Sequence, residues 1–162
     1  MIYNTNMKKA VIDTNVLLSA LNSSNGYSYK LLEELGDNKF EIAISNPLYY
    51  EYESILKRKA NRKIYSDEDI DDLLDYICSI AEKTKIHFLW RPYIKDPYDD
   101  HILELAFASK SNYIITYNKK DFTRAIDLGI QAVTPKEFLD LLGGGMWWVH
   151  WVLEFQIRYI WL

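Results

Sequence analysis

The sequence predicts a three-layer α/β/α sandwich built on a central parallel sheet. Short apolar runs typical of strands buried on both faces recur along the chain, each is followed by a stretch with helical spacing, and capping residues separate the two. Buried strands that alternate with helices are the pattern of βαβ units, whose strands run parallel. The 162 residues are enough for one domain with its own core.

The first strand is expected at residues 10–12, which are all apolar. Asp13, Thr14 and Asn15 follow it directly, and each of these residue types can cap the helix that is expected to begin near Val16. The chain therefore begins with a strand, a turn and a helix.

A second helix is expected at residues 29–35, where Gly36 ends it, and a second strand at residues 40–44. Asn46 is expected to cap the helix that follows, with Pro47 in its first turn. Five basic residues in that helix and just after it precede a capped, acidic helix at residues 66–81. This switch in charge indicates either an exposed pair of helices or a surface for a substrate or partner.

The second half of the chain repeats the alternation of strands and helices. A strand is expected at residues 85–89, a helix from Asp96 and Pro97 to about residue 110, and a strand at residues 113–116. A short helix at residues 121–128 ends at Gly129. A last strand at residues 130–133 precedes a capping box, Thr134 to Glu137, and a helix at residues 138–142.

The segment after residue 142 departs from this pattern. We expect residues 1–142 to form the main folded domain and residues 143–162 to be a glycine linker with an apolar tail. Of the 17 residues from 146 to 162, 13 are apolar and four are tryptophan. The tail is interpreted as a non-native extension, as a strand covering an apolar face or a dimer seam, or as a membrane contact. Its charged and polar residues make it a poor membrane span.

Acidic residues lie where strands end and helices begin. Ligands of parallel α/β sheets bind at the carboxyl ends of the strands, where Asp13 and Asp121 are expected. Asp13 is also explained by capping alone. Asp100 shares a helix face with Leu103 and Phe107, which predicts that it leans toward the interior and needs a partner there. Glu51 lies on the edge of an apolar helix stripe. Such a set of carboxylates suits Mg²⁺ or Mn²⁺.

Five segments in order give the chain its resemblance to a known family. They are VIDTNVL at residues 11–17, SNPLYYE at 45–51, DPYDDHIL at 96–103, IITYNKKDF at 114–122 and TPKEFL at 134–139. In their order and spacing they resemble the PIN-domain ribonucleases, and among these the VapC-like toxins of prokaryotic toxin–antitoxin systems.

The resemblance implies a metal-dependent endoribonuclease that is the toxin of such a pair. It further implies an RNA substrate, an antitoxin partner and a homodimer. Separately, the single cysteine and the lack of a secretory signal in the first residues predict a cytoplasmic protein without a membrane anchor. It makes Asp13 and Asp100 metal ligands, Glu51 a further catalytic acid, and Asp121 or Asn118 the fourth position. The implied supporting residues are Thr14, Asn15 and Asp99, and the implied RNA contacts are Lys57, Arg58, Arg62, Lys119 and Lys120.

Composition limits the alternatives. The net charge of −4 excludes a broad positive field that would attract nucleic acid, although removal of the four proposed site acids brings the charge to 0. The single cysteine excludes an internal disulfide and a cysteine-based zinc site. The three histidines are expected to be ordinary surface or half-buried residues. Two other functions remain: a non-catalytic RNA- or protein-binding scaffold, and a haloacid-dehalogenase-like phosphatase, which would lack its second aspartate because residue 15 is Asn.

Overall fold

The computed structural model describes residues 7–87 and 100–143, which form five parallel strands flanked by helices. The predicted α/β/α sandwich is confirmed. The strands are β1 (Lys8–Ile12), β2 (Phe40–Ile44), β3 (Glu82–Lys83), β4 (Tyr113–Ile115) and β5 (Gln131–Val133). The helices are α1 (Thr14–Asn22), α2 (Tyr27–Glu33), α3 (Asn46–Lys59), α4 (Asp67–Ile80), α5 (Asp100–Ala108) and α6 (Pro135–Leu141), and a 3₁₀ helix spans Lys119–Leu128.

The strand order places β1 at the centre of the sheet. The order is β3-β2-β1-β4-β5, and Ala10 of β1 is in register with Ile42 of β2 and Tyr113 of β4. The chain therefore adds strands on one side of β1 and then crosses to the other side, so the order reverses between β1 and β4. In parallel sheets a ligand crevice opens at such a reversal, beyond the carboxyl ends of the strands.

The core explains why the central strands are apolar without alternation. Ala10, Val11 and Ile12 of β1 and Ile114 and Ile115 of β4 are all buried, because helices cover the sheet. Helix α5 packs against β1, β2 and β4, and its residues 100–106 are all buried. The buried first two turns of α5 therefore hold their polar residues in fixed positions within the core.

Helix ends follow the capping residues, with one correction. Ser66 caps α4 and Thr134 caps α6, as predicted, and each forms a capping box, which was expected only for Thr134. Ser45, rather than Asn46, caps α3, because the Leu48 N–H donates to Ser45 Oγ at 3.4 Å and Asn46 is already helical. Gly129 ends the 3₁₀ helix in a left-handed conformation, with φ of 74°.

Several predicted boundaries are wrong. The third strand is Glu82–Lys83, paired with Ala43 and Ile44, and not residues 85–89, of which 88 and 89 lie outside the described residues. A charged edge strand lacks the apolar pattern by which buried strands are recognised. The helix predicted at 121–128 is a 3₁₀ helix that begins at residue 119, and α2 begins two residues earlier than predicted. Helix α5 ends at Ala108, before residue 110, and its predicted start at Asp96 lies outside the described residues.

Two of the basic residues in and just after α3 pair with acidic residues of α4. Lys57 on α3 lies 2.7 Å from the carboxylate of Asp71 on α4, and Arg62 lies 2.7 Å from that of Asp67. Basic and acidic side chains thus pair across the two helices, which favours the interpretation of an exposed helical pair. Within the described ranges, no helix is long and apolar enough to cross a bilayer.

Candidate active site

Asp13 lies at the carboxyl end of β1, at the point where the strand order reverses. It occupies the N-cap position of α1, yet its side chain makes no capping hydrogen bond. Instead Thr116, which follows β4, donates its hydroxyl to Asp13 Oδ2 at 2.6 Å, and the Asp13 N–H donates to the Ile115 carbonyl at 2.9 Å. The backbone N–H groups of Thr14 and Asn15 still lie close enough to lower the pKa of the carboxyl. Capping alone does not explain this aspartate, because its carboxylate also bridges the two strands that border the crevice.

The surroundings of the Asp13 side chain disfavour its ionised form. The residue is 5% exposed, and this burial raises the pKa of its carboxyl. The hydrogen bond from Thr116 opposes the rise in pKa, and the negative charge of Glu51 adds to it. A cation beside Asp13 would offset both the desolvation and the repulsion between the two carboxylates.

Glu51 projects from α3 and is held by two other elements. Thr14 Oγ1 donates to one of its carboxylate oxygens, and Nε2 of His101 lies 2.6 Å from the other. Burial would raise the pKa of Glu51, but the hydrogen bonds from His101 and Thr14 outweigh it, and the pKa is lowered. Glu51 is therefore an ionised acid near Asp13.

Tyr52 ties α3 to the end of β1. Its hydroxyl, buried in the core, donates to the Ile12 carbonyl. Burial raises the pKa of this phenol well above its usual range, and the charges of Asp13 and Glu51 add to the rise. Both carboxylates are thus close enough to act on one buried hydroxyl, which places them in a single electrostatic environment.

Asp100 lies at the same edge of the sheet. It is the first described residue of α5 and is 1% exposed, and the ring of its neighbour His101 reaches Glu51. The inward orientation predicted for Asp100 and Leu103 is confirmed by their burial, whereas Phe107 on the predicted face is 47% exposed. Asp99 lies outside the described residues.

The loop after β4 connects the last two candidates to Thr116. The Asn118 N–H donates to Thr116 Oγ1 at 2.9 Å, and the Asp121 N–H donates to the Asn118 carbonyl at 2.9 Å. Asn118 is exposed and Asp121 half-buried. The hydroxyl that holds Asp13 therefore also holds this loop, and both residues remain candidates for the fourth position.

The chemistry of the donors suits a hard divalent cation. Asp13, Glu51 and Asp100 offer carboxylate oxygens, and Oδ1 of Asn15 is buried without a hydrogen-bond partner among the described residues. Across residues 7–87 and 100–143, no three Asp, Glu, His or Cys side chains stand close enough together to ligate one ion. The residues thus fit such a metal by donor type, in an arrangement more open than a closed metal cluster.

The five basic residues implied as RNA contacts fall into two groups. Lys57 and Arg62 are paired with acids of α4, and Lys119 lies 2.8 Å from Glu137 on α6. Arg58 and Lys120 are exposed and form no ion pair within the described part of the chain. The latter two have free charges to offer a phosphate.

Two residues at the site were missed from the sequence. Thr116 is fully buried and follows β4 as Asp13 follows β1, and this equivalent position was its only signal. His101 was expected to be an ordinary histidine, but it is buried and contacts Glu51. Its place beside Asp100 was a signal, although sequence spacing did not show that Glu51 would lie opposite.

The comparisons with known proteins concern the family and the fold of the chain. A family model described as the PIN domain matches residues 9–120. Among solved structures, the chain is similar to one in the crystal structure of VapBC2 from Rickettsia felis bound to a DNA fragment from their promoter. That similarity has a TM-score of 0.54 and 22% identity, over 78% of this chain and 98% of the other, and it concerns the fold. No curated protein matches the sequence.

Proposed function

Because the chain belongs to the PIN-domain family, we propose that it is a metal-dependent endoribonuclease, a hydrolase that cleaves RNA phosphodiester bonds. One observation carries the proposal: the buried Asp13 carboxylate is held by Thr116 at the strand-order reversal, close to the ionised Glu51. The family match favours this function over the haloacid-dehalogenase-like phosphatase.

The cofactor proposed is Mg²⁺ or Mn²⁺. When bound, such an ion supplies a Lewis acid that lowers the pKa of water and stabilises charge on the phosphodiester. Asp13 and Asp100 would hold it, with Asp121 or Asn118 as the further ligand. Thr116 donates to Oδ2 of Asp13 and so fixes the orientation of this carboxylate. Asn15, with its buried amide oxygen, would support the ligands.

Glu51 is assigned a different task from the ligands. Both of its oxygens already accept a hydrogen bond, from Thr14 and from His101. Each oxygen keeps one further lone-pair direction, which suits a carboxylate that accepts a proton from water. Its lowered pKa keeps it ionised at neutral pH, so the carboxylate carries no proton of its own and can accept one.

The proposed activity is tested with purified protein and a labelled single-stranded RNA. We expect cleavage with Mn²⁺, none with excess chelator, and a loss of about 100-fold or more in Asp13→Asn. Asp75→Asn, an exposed position on α4, is the matched control and should cleave like the parent. Equal cleavage by Asp13→Asn and Asp75→Asn would overturn the mechanism, and absence of cleavage by the parent would favour the scaffold alternative.

We further propose that the protein is the toxin of a toxin–antitoxin pair and forms a homodimer. The similarity to a chain of the VapBC2 complex supports this. A small DNA-binding protein encoded beside this one should copurify with it and suppress RNA cleavage, and the separated protein should elute at twice its mass of 19.2 kDa. An unrelated neighbouring protein that leaves cleavage unchanged would contradict the toxin assignment.

A further inference from the structure

Glu51 is held from two sides by residues of different elements. Thr14 lies in the first turn of α1 and contacts Oε1, whereas His101 lies in the first turn of α5 and places Nε2 2.6 Å from Oε2. Thr14 is 4% and His101 7% exposed, whereas the Glu51 side chain is 30% exposed, so the two donors are buried while the carboxylate remains accessible to water. The orientation of the carboxylate is thus determined by the packing of α1, α3 and α5.

The contact also determines which nitrogen of His101 carries a proton. An ionised carboxylate can only accept hydrogen bonds, so Nε2 must be the donor. The other ring nitrogen, Nδ1, is buried and has no hydrogen-bond partner among the described residues. Within the described part of the chain, the Glu51 carboxylate is therefore the one polar group that orients this buried ring.

We propose that His101 is a positioning residue for the hydrolytic reaction: by donating from Nε2 to Glu51, it holds that carboxylate in the orientation in which its remaining lone pairs accept the proton of the attacking water. This inference rests on the proposed nuclease function. His101 itself is not assigned a contact with the metal or the RNA. Its effect passes through Glu51 alone.

The kinetic test compares two substitutions at this position. His101→Leu introduces an apolar side chain of similar bulk and removes the hydrogen-bond donor. We expect kcat to fall about 10- to 100-fold with KM little changed, as for partners that orient a catalytic group. His101→Gln retains an N–H donor and should recover most of kcat. His87→Leu, at an exposed histidine, is the matched control and should keep the parent rate.

A double-mutant cycle separates positioning from a general loss of structure. In a Glu51→Gln background, where the carboxylate is absent, His101→Leu should lower kcat by less than twofold further. If the losses from His101→Leu and Glu51→Gln multiply, or if His101→Gln is as slow as His101→Leu, His101 does not act through Glu51 and the proposal is wrong.

A spectroscopic measurement tests the contact without any reaction. In ¹H–¹⁵N spectra of the metal-free protein, the His101 ring should show a proton on Nε2 and none on Nδ1, and Glu51→Gln should shift the Nε2 resonance. A proton on Nδ1 alone, or a resonance indifferent to Glu51→Gln, would overturn the proposal even if RNA is cleaved. Absence of cleavage by the parent would instead contradict the proposed function, and the spectra would still decide whether the contact exists.

Discussion

At the level of single residues, the buried Asp13 carboxylate of the candidate site lowers the stability of the folded protein. A carboxyl whose pKa is raised in the folded protein binds its proton more tightly there than in the unfolded chain. Folding stability from this group therefore falls as the pH rises through the folded pKa. At neutral pH the ionised, buried Asp13 destabilises the metal-free protein.

We predict that Asp13→Asn stabilises the metal-free protein at neutral pH. The amide oxygen can still accept the hydrogen bond from Thr116 and carries no charge to desolvate, so Tm with excess chelator should rise by about 3 °C. The gain in Tm should shrink as the pH falls below the folded pKa of the carboxyl. It should disappear below the pKa of the unfolded chain, where the parent is uncharged in both states. Addition of Mn²⁺ should raise Tm of the parent more than that of Asp13→Asn. A lower Tm for Asp13→Asn at neutral pH would show that the carboxylate stabilises the fold.

Thr116 should control both the site and the loop behind it. Its hydroxyl donates to Asp13 and accepts from the Asn118 N–H. Thr116→Val removes these two bonds at nearly constant shape, and we expect a loss of about 2 kcal/mol in the free energy of unfolding, measured by urea denaturation. Thr123→Val, exposed on the 3₁₀ helix, is the matched control and should change stability by less than about 0.5 kcal/mol. Equal stability of the two variants would mean that these hydrogen bonds contribute nothing.

At the level of elements, the turn after α2 depends on a glycine. Gly36 has φ of +85°, and a Cβ there would meet Tyr76 Oη at 2.4 Å. The tyrosine cannot simply move away, because its hydroxyl donates to the Leu35 carbonyl at 2.8 Å. Gly129 has a similar φ of +74°, but an added Cβ would meet nothing within 4 Å.

These two glycines provide a matched pair of substitutions. Gly129→Ala should cost about 1 kcal/mol in the free energy of unfolding, from the positive φ alone. Gly36→Ala should cost about 1 kcal/mol more, because it also displaces the Tyr76 hydroxyl from its hydrogen bond. In a Tyr76→Phe background the excess should shrink. An equal cost for Gly36→Ala and Gly129→Ala would show that the contact with Tyr76 is relieved without loss.

The loop after β4 is the element we expect to contact RNA. Tyr117 is 47% exposed, its hydroxyl lies 2.5 Å from Ser28 Oγ, and Lys120 beside it has no ion pair within the described residues. A fixed, exposed ring can stack on an unpaired base. By contrast, Lys57 is already paired with Glu53 and Asp71.

We predict that Tyr117→Ala weakens binding of single-stranded RNA about fivefold, in line with the loss of one stacked base. Lys120→Ala should weaken binding and reduce its salt dependence, since a phosphate contact is lost. Lys57→Ala, the matched control for Lys120→Ala, should change affinity by less than twofold. The affinity for RNA would be measured by fluorescence anisotropy, with Ca²⁺ in place of Mn²⁺ so that binding is observed without cleavage. A larger effect of Lys57→Ala would indicate that RNA binds to the pair of helices α3 and α4 instead.

At the level of the whole molecule, the described residues contain a five-stranded sheet with its core. We therefore propose that residues 1–142 form the nuclease domain and that residues 143–162 are dispensable for folding. A chain ending at Gly143 should keep the parent's cooperative melting and its rise in Tm with Mn²⁺. Because 13 of residues 146–162 are apolar, it should also aggregate less. Loss of cooperative melting would show that the tail covers part of the core.

The sequence by itself determined the α/β class and most elements, because buried strands, helix spacing and capping residues are local signals. It also marked Asp13, Asp100 and Asp121 as acids near element ends and Glu51 as an acid on the edge of an apolar helix stripe. Only the tertiary structure decided which side chains meet. Thr116 reaches Asp13 across 103 residues, and His101 reaches Glu51 across 50. Strand order and the packing of α5 create these contacts, and neither leaves a periodic trace in the chain. The ion pair between Lys57 and Asp71 of α4 is likewise a tertiary contact that the sequence does not show.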